Sequence, residues 1–567
     1  MQTRREFLQV ATALAGSMGA YSLFPGGISR AAAAQSVTQD DLLAFEDLGN
    51  VTLLHLTDMH AQLMPVYFRE PSINIGVGEV ASLPPHITGK ALLNKYGIAP
   101  GSMDAYTLSS EDFTSLANTY GRVGGLDRLT TLAKSIKASR PNNTLFFDGG
   151  DTWQGSYTSL QTAGEDMVDA MNLLDVDAMT AHWEFTYGEE RVTDLIDKLN
   201  FPFLAGNVRD VEWEEEVFES TTYFERGGVN IAVIGQAFPY TPIANPRYKV
   251  PNWSFGIRED EVRESVIAAR KKGAALVVLL SHNGFDVDRK LASRVEGIDV
   301  ILSGHTHDAL PDAVNVGGTL IVASGSHGKF LSRLDLDVDP AGGVKDYRFK
   351  LIPVLSDVIT PDAEMAAMIK KIRDPHEAEL SRVLGKTEDL LYRRGNFNGT
   401  FDDLICQALM QERDAEIALS PGFRWGATLL PGQDITVDDV YNMTAITYPN
   451  VYRNMMTGEN LKLVLEDVAD NLFNADPYFQ QGGDMVRVGG IGYQIKPTGK
   501  IGDRISDITI LKTGEKIDPV KEYSVAGWAS VNEGTEGPPV YDLVSDYIQK
   551  EKQVSVDQTE HIKVVGP

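Results

Sequence analysis

Four short apolar runs, each closing on a group that can bind a metal, constrain this chain more than any other feature. Val51 to Leu56 leads into Thr57-Asp58-Met59-His60, and Thr144 to Phe147 leads into Asp148-Gly149-Gly150-Asp151. Ala275 to Leu280 leads into Ser281-His282-Asn283, and Val300 to Leu302 into Ser303-Gly304-His305-Thr306-His307-Asp308. The runs have the length and β-branched content of buried strands. Helical patterns lie between the strand-like runs, at Gly125 to Ala138, Glu165 to Leu174 and Glu259 to Lys272. Strands alternating with helices predict a layered α/β core, with ligands gathered on loops at the carboxyl ends of the strands. One histidine after a strand is weak evidence for a ligand. Four motifs in this order, each closing a strand, are strong evidence for a metal centre.

The 567 residues call for at least two domains. Residues 36–356 read as the catalytic domain, with an insertion over 64–120 that is too long for a plain connection and is therefore expected to be ordered and functional. Residues 357–384 read as a linker helix and 385–567 as a second domain. The net charge of −28 argues against nucleic acid or an anionic membrane as the main partner. An anionic substrate has to be drawn in by local charge, from metals and arginines. The single cysteine, Cys406, excludes an internal disulfide and sits in a helical pattern from Phe401 to Gln411, where a buried apolar role is expected. At the start, Thr3-Arg4-Arg5-Glu6-Phe7-Leu8 precedes an apolar stretch too short for a good membrane span, and then Ala31-Ala32-Ala33-Ala34. Residues 1–35 resemble a twin-arginine signal, which implies export of the folded protein to the periplasm.

Asp58, His60, Asp151, His282, His305 and His307 resemble the ligand set of the calcineurin-like metallophosphoesterases, and most closely their 5′-nucleotidase branch. The resemblance implies a β-sandwich core flanked by helices, followed by an α/β domain of the 5′-nucleotidase C-terminal type. Asp402-Asp403-Leu404-Ile405 and Ser420-Pro421-Gly422-Phe423-Arg424 carry that second likeness. Carried over by residue, one divalent ion takes Asp58, His60, Asp151 and His307. The other takes Asp151, His282 and His305, with Asp151 bridging. Carboxylate and imidazole ligands suit manganese, iron or zinc; manganese is the expectation.

The chain departs from that branch at Ala181-His182-Trp183-Glu184-Phe185-Thr186-Tyr187-Gly188. The superfamily has Gly-Asn-His-Glu here. Aligned on Glu184-Phe185, His182 takes the position of the asparagine ligand and is expected to bind metal. Trp183 takes the position of the acidic histidine, and Thr186 that of the aspartate orienting it. An alkoxide leaving group needs a proton, whereas a persulfide can depart without one. The altered dyad therefore fits a substrate whose leaving atom is sulfur. With Phe68-Arg69-Glu70-Pro71-Ser72-Ile73-Asn74-Ile75-Gly76 in the insertion, the chain resembles the SoxB thiosulfohydrolase family.

That resemblance implies hydroxide generated at two metals, attack on a cysteine-bound S-thiosulfonate on the C-terminal arm of the SoxYZ carrier, and release of sulfate. Catalytic roles would fall to Asp151, His182, Asn207 and Arg424, and substrate contacts to Arg69, Trp183, Arg393, Arg394 and Arg424. Asn207, in Ala205-Gly206-Asn207-Val208, is expected near the metals. A monomer is expected. Two other readings stay open at this point. A periplasmic 5′-nucleotidase or cyclic-nucleotide phosphodiesterase should pair aromatic residues around a base, from among Phe423, Trp425, Tyr448 and Tyr452. A non-catalytic binding or scaffold component should bind no metal.

Overall fold

The computed structural model of the protein describes residues 37–566. The proposed export signal lies outside them. Among the described residues no helix is long and apolar enough to cross a membrane.

Two sheets form the core of the first domain. Their strands are β1 Val51–Leu56, β2 Thr144–Asp148, β3 Ala178–Met179, β4 Thr221–Arg226, β5 Val229–Gln236, β6 Leu276–Ser281, β7 Val300–Ser303, β8 Val314–Val316, β9 Thr319–Ala323, β10 Phe330–Val338 and β11 Val344–Pro353. The first sheet runs β11-β10-β1-β2-β3 and the second β8-β9-β7-β6-β5-β4. In the first, β1, β2 and β3 are parallel; in the second, β5, β6, β7 and β9 are.

Side-chain alternation explains why the sheets stack. Val51 and Leu53 of β1, Leu145 and Phe147 of β2, and Ile231, Val278, Leu280 and Leu302 of the other sheet share one core between the sheets. The alternate residues turn outward. Leu54, Leu56 and Phe146 pack on helices Leu126–Ser139 and Glu165–Leu174. Ala232, Ile234, Val277 and Leu279 pack on Glu259–Lys271 and Phe285–Arg294. Helix, sheet, sheet and helix layers result, as the strand and helix patterns predict.

Register brings the strand ends together. Leu56 pairs with Asp148, and Ser281 with Ser303. The loops carrying Asp58, Asp151, His282 and His305 therefore leave at one edge of the sandwich.

The insertion is ordered and holds the helices Gly89–Tyr96, Met103–Leu108 and Phe113–Tyr120. It meets both domains, through bridges of Val66 with Val123 and Tyr67 with Thr428. The connector departs from a single linker helix. Helix Ala363–Arg373, capped by Asp362, ends before Pro375, and a separate short helix spans Glu377–Leu380. Proline lacks the N–H a continuing helix needs. The second domain has a sheet of Ile417–Ser420, Tyr452–Thr457, Arg487–Gly489 and Glu522–Gly527. Helix Thr400–Arg413 covers it and buries Cys406.

Candidate metal centre

Seven side chains predicted from sequence converge in two overlapping groups: Asp58, His60, Asp151 and His307, and Asp151, His182, His282 and His305. Within each group the candidate ligand atoms lie within 4.8 Å of one another, and every residue is buried. Asp151 belongs to both. Its Oδ2 stands 3.1 Å from His282 Nε2, 3.2 Å from His182 Nδ1 and 3.6 Å from His60 Nε2. Asp58 Oδ1 is 3.2 Å from His307 Nε2. Asp58, His60, Asp151, His305 and His307 all have φ between 47° and 75°. Such left-handed backbone costs energy for residues with a Cβ, and its concentration here fits a site rather than a turn.

The donor chemistry fits two cations. Burial lowers His182 to about 4 and His305 and His307 well below the imidazole range, so their rings are neutral and offer lone pairs. His60 Nε2 and His307 Nε2 face each other at 3.1 Å, while both Nδ1 atoms are buried without a partner. Two facing imidazole nitrogens are what a shared cation explains. His282 donates Nδ1–H to the Gly149 carbonyl at 2.6 Å and His305 donates Nε2–H to the Gln481 carbonyl at 3.2 Å. Those bonds fix each tautomer and leave the other nitrogen as ligand. Burial opposes charge on His282, but Asp151 and Asp58 raise it to about 10. A divalent ion would supply that positive charge and displace the proton. Burial likewise opposes charge on Asp151, yet His182, His282 and His60 hold it well below the carboxylate range.

Sequence reasoning used Glu184 only to align the motif; its role is larger. This fully buried carboxylate accepts four backbone N–H groups: Thr152 at 2.6 Å and Trp153 at 3.2 Å on Oε1, His182 at 2.8 Å and Asp151 at 3.3 Å on Oε2. It ties the loop of the bridging aspartate to the peptide of His182. His327 was also missed. Its N–H donates to the Asp58 carbonyl at 2.9 Å, and its ring lies 5.5 Å from that of His60. Nothing local in Ser326-His327-Gly328 marks it, because its neighbours come from distant segments.

Trp183 and Thr186, the residues expected in place of an acid dyad, both lie beside the metal group or the domain junction. Trp183 gives its backbone N–H to Asp151 Oδ1 at 2.7 Å. Its ring meets Trp425 edge-on at 5.1 Å, so the two domains join there. Thr186 Oγ1 bonds Thr447 Oγ1 at 2.6 Å. Neither side chain titrates as an acid.

An apolar-walled cavity opens over the metal residues, lined by Trp183, Phe238, Tyr240, Ile243, Trp425 and Arg424. Arg424 gives one N–H to the Gly483 carbonyl, its Nε stands 3.7 Å from Asp484 Oδ1, and its buried Nη1 has no hydrogen-bond partner. Arg394 binds the His307 carbonyl at 2.8 Å and Glu70 at 3.5 Å. The other expected contacts are engaged elsewhere. Arg393 is clamped by Asp402 at 2.9 Å and the Met443 carbonyl. Arg69 stacks over Tyr392 at 4.2 Å. Both amide atoms of Asn207 are used by the backbone, at Ala237 and Gly256, so it fastens loops and has no free donor for substrate. Phe423 stacks directly on Trp425, with centroids 4.1 Å apart, so this pair leaves no slot for a base between its rings.

A family described as 5′-nucleotidase, C-terminal domain matches residues 383–543. The human 5′-nucleotidase is 24% identical over 77% of this chain and 82% of its own length. An uncharacterized metallophosphoesterase of Bacillus subtilis, YunD, is 24% identical over 72% of this chain and 88% of its own. Among solved structures, sulfate thiohydrolase SoxB from Thermus thermophilus, in complex with glycerol, is 38% identical with a TM-score of 0.89, covering 92% of this chain and 98% of that one. A 5′-nucleotidase precursor, also from Thermus thermophilus, shares the fold, at 21% identity and a TM-score of 0.72 over 91% of this chain and 100% of that one.

Proposed function

The chain belongs to the SoxB family, in the 5′-nucleotidase branch of the metallophosphoesterases, and from that premise we propose that it is a periplasmic thiosulfohydrolase acting on a cysteine-bound S-thiosulfonate of the SoxYZ carrier. Its class as a hydrolase follows from the family. One observation carries the finer reading: a seven-ligand centre is kept, while tryptophan and threonine stand where a phosphoesterase has its acid dyad.

The reaction balances as Cys–S–S–SO3⁻ plus water giving Cys–S–S⁻, sulfate and two protons. Two divalent ions, which we assign as manganese, would supply hydroxide from water and screen the sulfonate oxygens. The chain does the rest. Asp58, His60, Asp151 and His307 would hold one ion and Asp151, His182, His282 and His305 the other. Trp183 N–H pins Asp151 Oδ1 and so turns Oδ2 toward both ligand groups. Arg424, whose Nη1 has no hydrogen-bond partner, binds sulfonate oxygens through N–H groups. Trp183, Phe238 and Trp425 keep water from the reacting sulfur atoms. The persulfide leaves as an anion, so no acid is required at the position of Trp183.

Phe423 and Trp425, stacked on each other, cannot hold a base between them. The test is sulfate release by the purified, metal-loaded protein from thiosulfonated carrier, run beside AMP. Sulfate with negligible phosphate supports the proposal; rapid AMP hydrolysis without sulfate refutes it.

A further inference from the structure

The cavity over the metal residues has a neighbour. A second cavity lies on the other side of His305, and the two share His305, Arg424, Asn471 and Gly482. Their chemistries differ. Aromatic and aliphatic groups dominate the first. The second is lined by Arg394, Arg424, His86, Asn74 and Asn283. Three guanidinium nitrogens on its lining residues are buried without a hydrogen-bond partner, Arg394 Nε and Arg424 Nε and Nη1, with Asp484 Oδ1 standing 3.7 Å from Arg424 Nε. A buried unpaired N–H is costly unless an anion or water accepts it. The carboxylates of this cavity have cationic or amide neighbours, although Asp286 Oδ1 makes no hydrogen bond and lies 3.9 Å from Arg289 Nε. Asp286 pairs with His86 at 2.8 Å, Asp484 with Arg487 at 3.0 Å, and Asp308 accepts from Asn74 at 3.2 Å. Ile73, Asn74 and His86 come from the insertion, so that segment builds one wall.

If the reading as a thiosulfohydrolase holds, on which this inference rests, the product has a traffic problem. A carrier arm that brings its cysteine to the metals fills the apolar cavity. Sulfate would then form beyond the tip of that arm, beside the wall that the two cavities share. We infer that the second cavity is the exit for the product, a tetrahedral-oxyanion site behind His305 where Arg424 forms the shared wall and Arg394 receives the sulfate. The nearby carboxylates weaken the hold, which suits passage rather than capture.

Selenate copies sulfate and scatters anomalously, so it is soaked into crystals of the metal-loaded protein, and binding of radiolabelled sulfate is measured by equilibrium dialysis. The expected result is a selenium peak beside Arg394 and Arg424 in the insertion-walled cavity. Ile73→Trp, from the insertion, and Leu472→Trp, from the second domain, fill that cavity and should each weaken sulfate binding at least tenfold. With loaded carrier in a single turnover, persulfide formation should outrun sulfate release in both variants. A selenium peak confined to the apolar cavity, no peak at all, or unchanged sulfate affinity in both variants overturns the inference. Selenate location and sulfate affinity do not require carrier chemistry. Absent sulfate release from the carrier alone defeats the functional reading, whereas a missing site at Arg394 alone defeats the exit.

Discussion

Replacing Glu184 with glutamine tests whether one buried carboxylate organises the metal centre. Each of its oxygens accepts two backbone N–H groups, from Thr152 and Trp153 on one side and from Asp151 and His182 on the other. Glutamine keeps the shape but turns an NH2 toward one of those pairs. Two buried donors then lose their acceptor, at about 1–3 kcal/mol each, so Glu184→Gln should destabilise the metal-free protein by roughly 2–6 kcal/mol. Urea unfolding of the metal-free wild type and variant measures that difference. Because the same carboxylate fixes the peptides of Asp151 and His182, the purified variant should also carry less than two ions per chain, read by elemental analysis. A variant within about 0.5 kcal/mol of wild type that still holds two ions would refute the reasoning.

Three further outcomes follow from other parts of the chain. His182→Ala removes a ligand of only one group and should lower the metal content from two ions toward one; full occupancy would show that His182 is not a ligand. Glu70 is the carboxylate beside two buried cations, 2.7 Å from Lys329 and 3.5 Å from Arg394, so Glu70→Gln should cost roughly 3–5 kcal/mol of stability in urea, as for one partner removed from a buried ion pair. Burial lowers His55 to about 3 from 6.5. The unfolded chain therefore binds a proton that the folded chain rejects, so the contribution of His55 to stability is fully present above pH 6.5 and is lost as pH falls toward 3, by up to roughly 4–5 kcal/mol. The slope between pH 6.5 and 4 should flatten in His55→Asn; an identical slope in wild type and variant would contradict the assignment.

The ligands were legible because each sits within four residues of the end of a buried strand, and parallel register brings such ends to one edge. The layered α/β core was legible from the same strands, while the pairing of two sheets in a sandwich came from the family resemblance; alternate residues of the strands feed the core between the sheets and the helix-covered faces. What sequence reasoning missed depends on contacts across the chain. Glu184 matters because Thr152 and Trp153, more than thirty residues earlier, point their N–H groups at it. His327 matters through the Asp58 carbonyl. The arginines show the same limit. Arg393, Arg394 and Arg424 look alike in sequence, yet Asp402 occupies the first, the His307 carbonyl and Glu70 the second, and of the three only Arg424 keeps a terminal guanidinium nitrogen, Nη1, without a hydrogen-bond partner at the cavity over the metals. Asn207 likewise spends its amide on two loops. No local pattern encodes which partner a long side chain finds. The linker shows a case where a local signal outweighs the broader pattern: Pro375 divides a charged, helix-like stretch into two helices.

The most direct test of sulfur chemistry without an acid is a single turnover of thiosulfonated carrier in 18O-labelled water, with the carrier and the released anion both analysed by mass spectrometry. The account predicts sulfate carrying one solvent oxygen and a carrier cysteine left as persulfide, in wild type and in Thr186→Ala alike. A carrier that keeps its thiosulfonate while the same preparation hydrolyses AMP would contradict it.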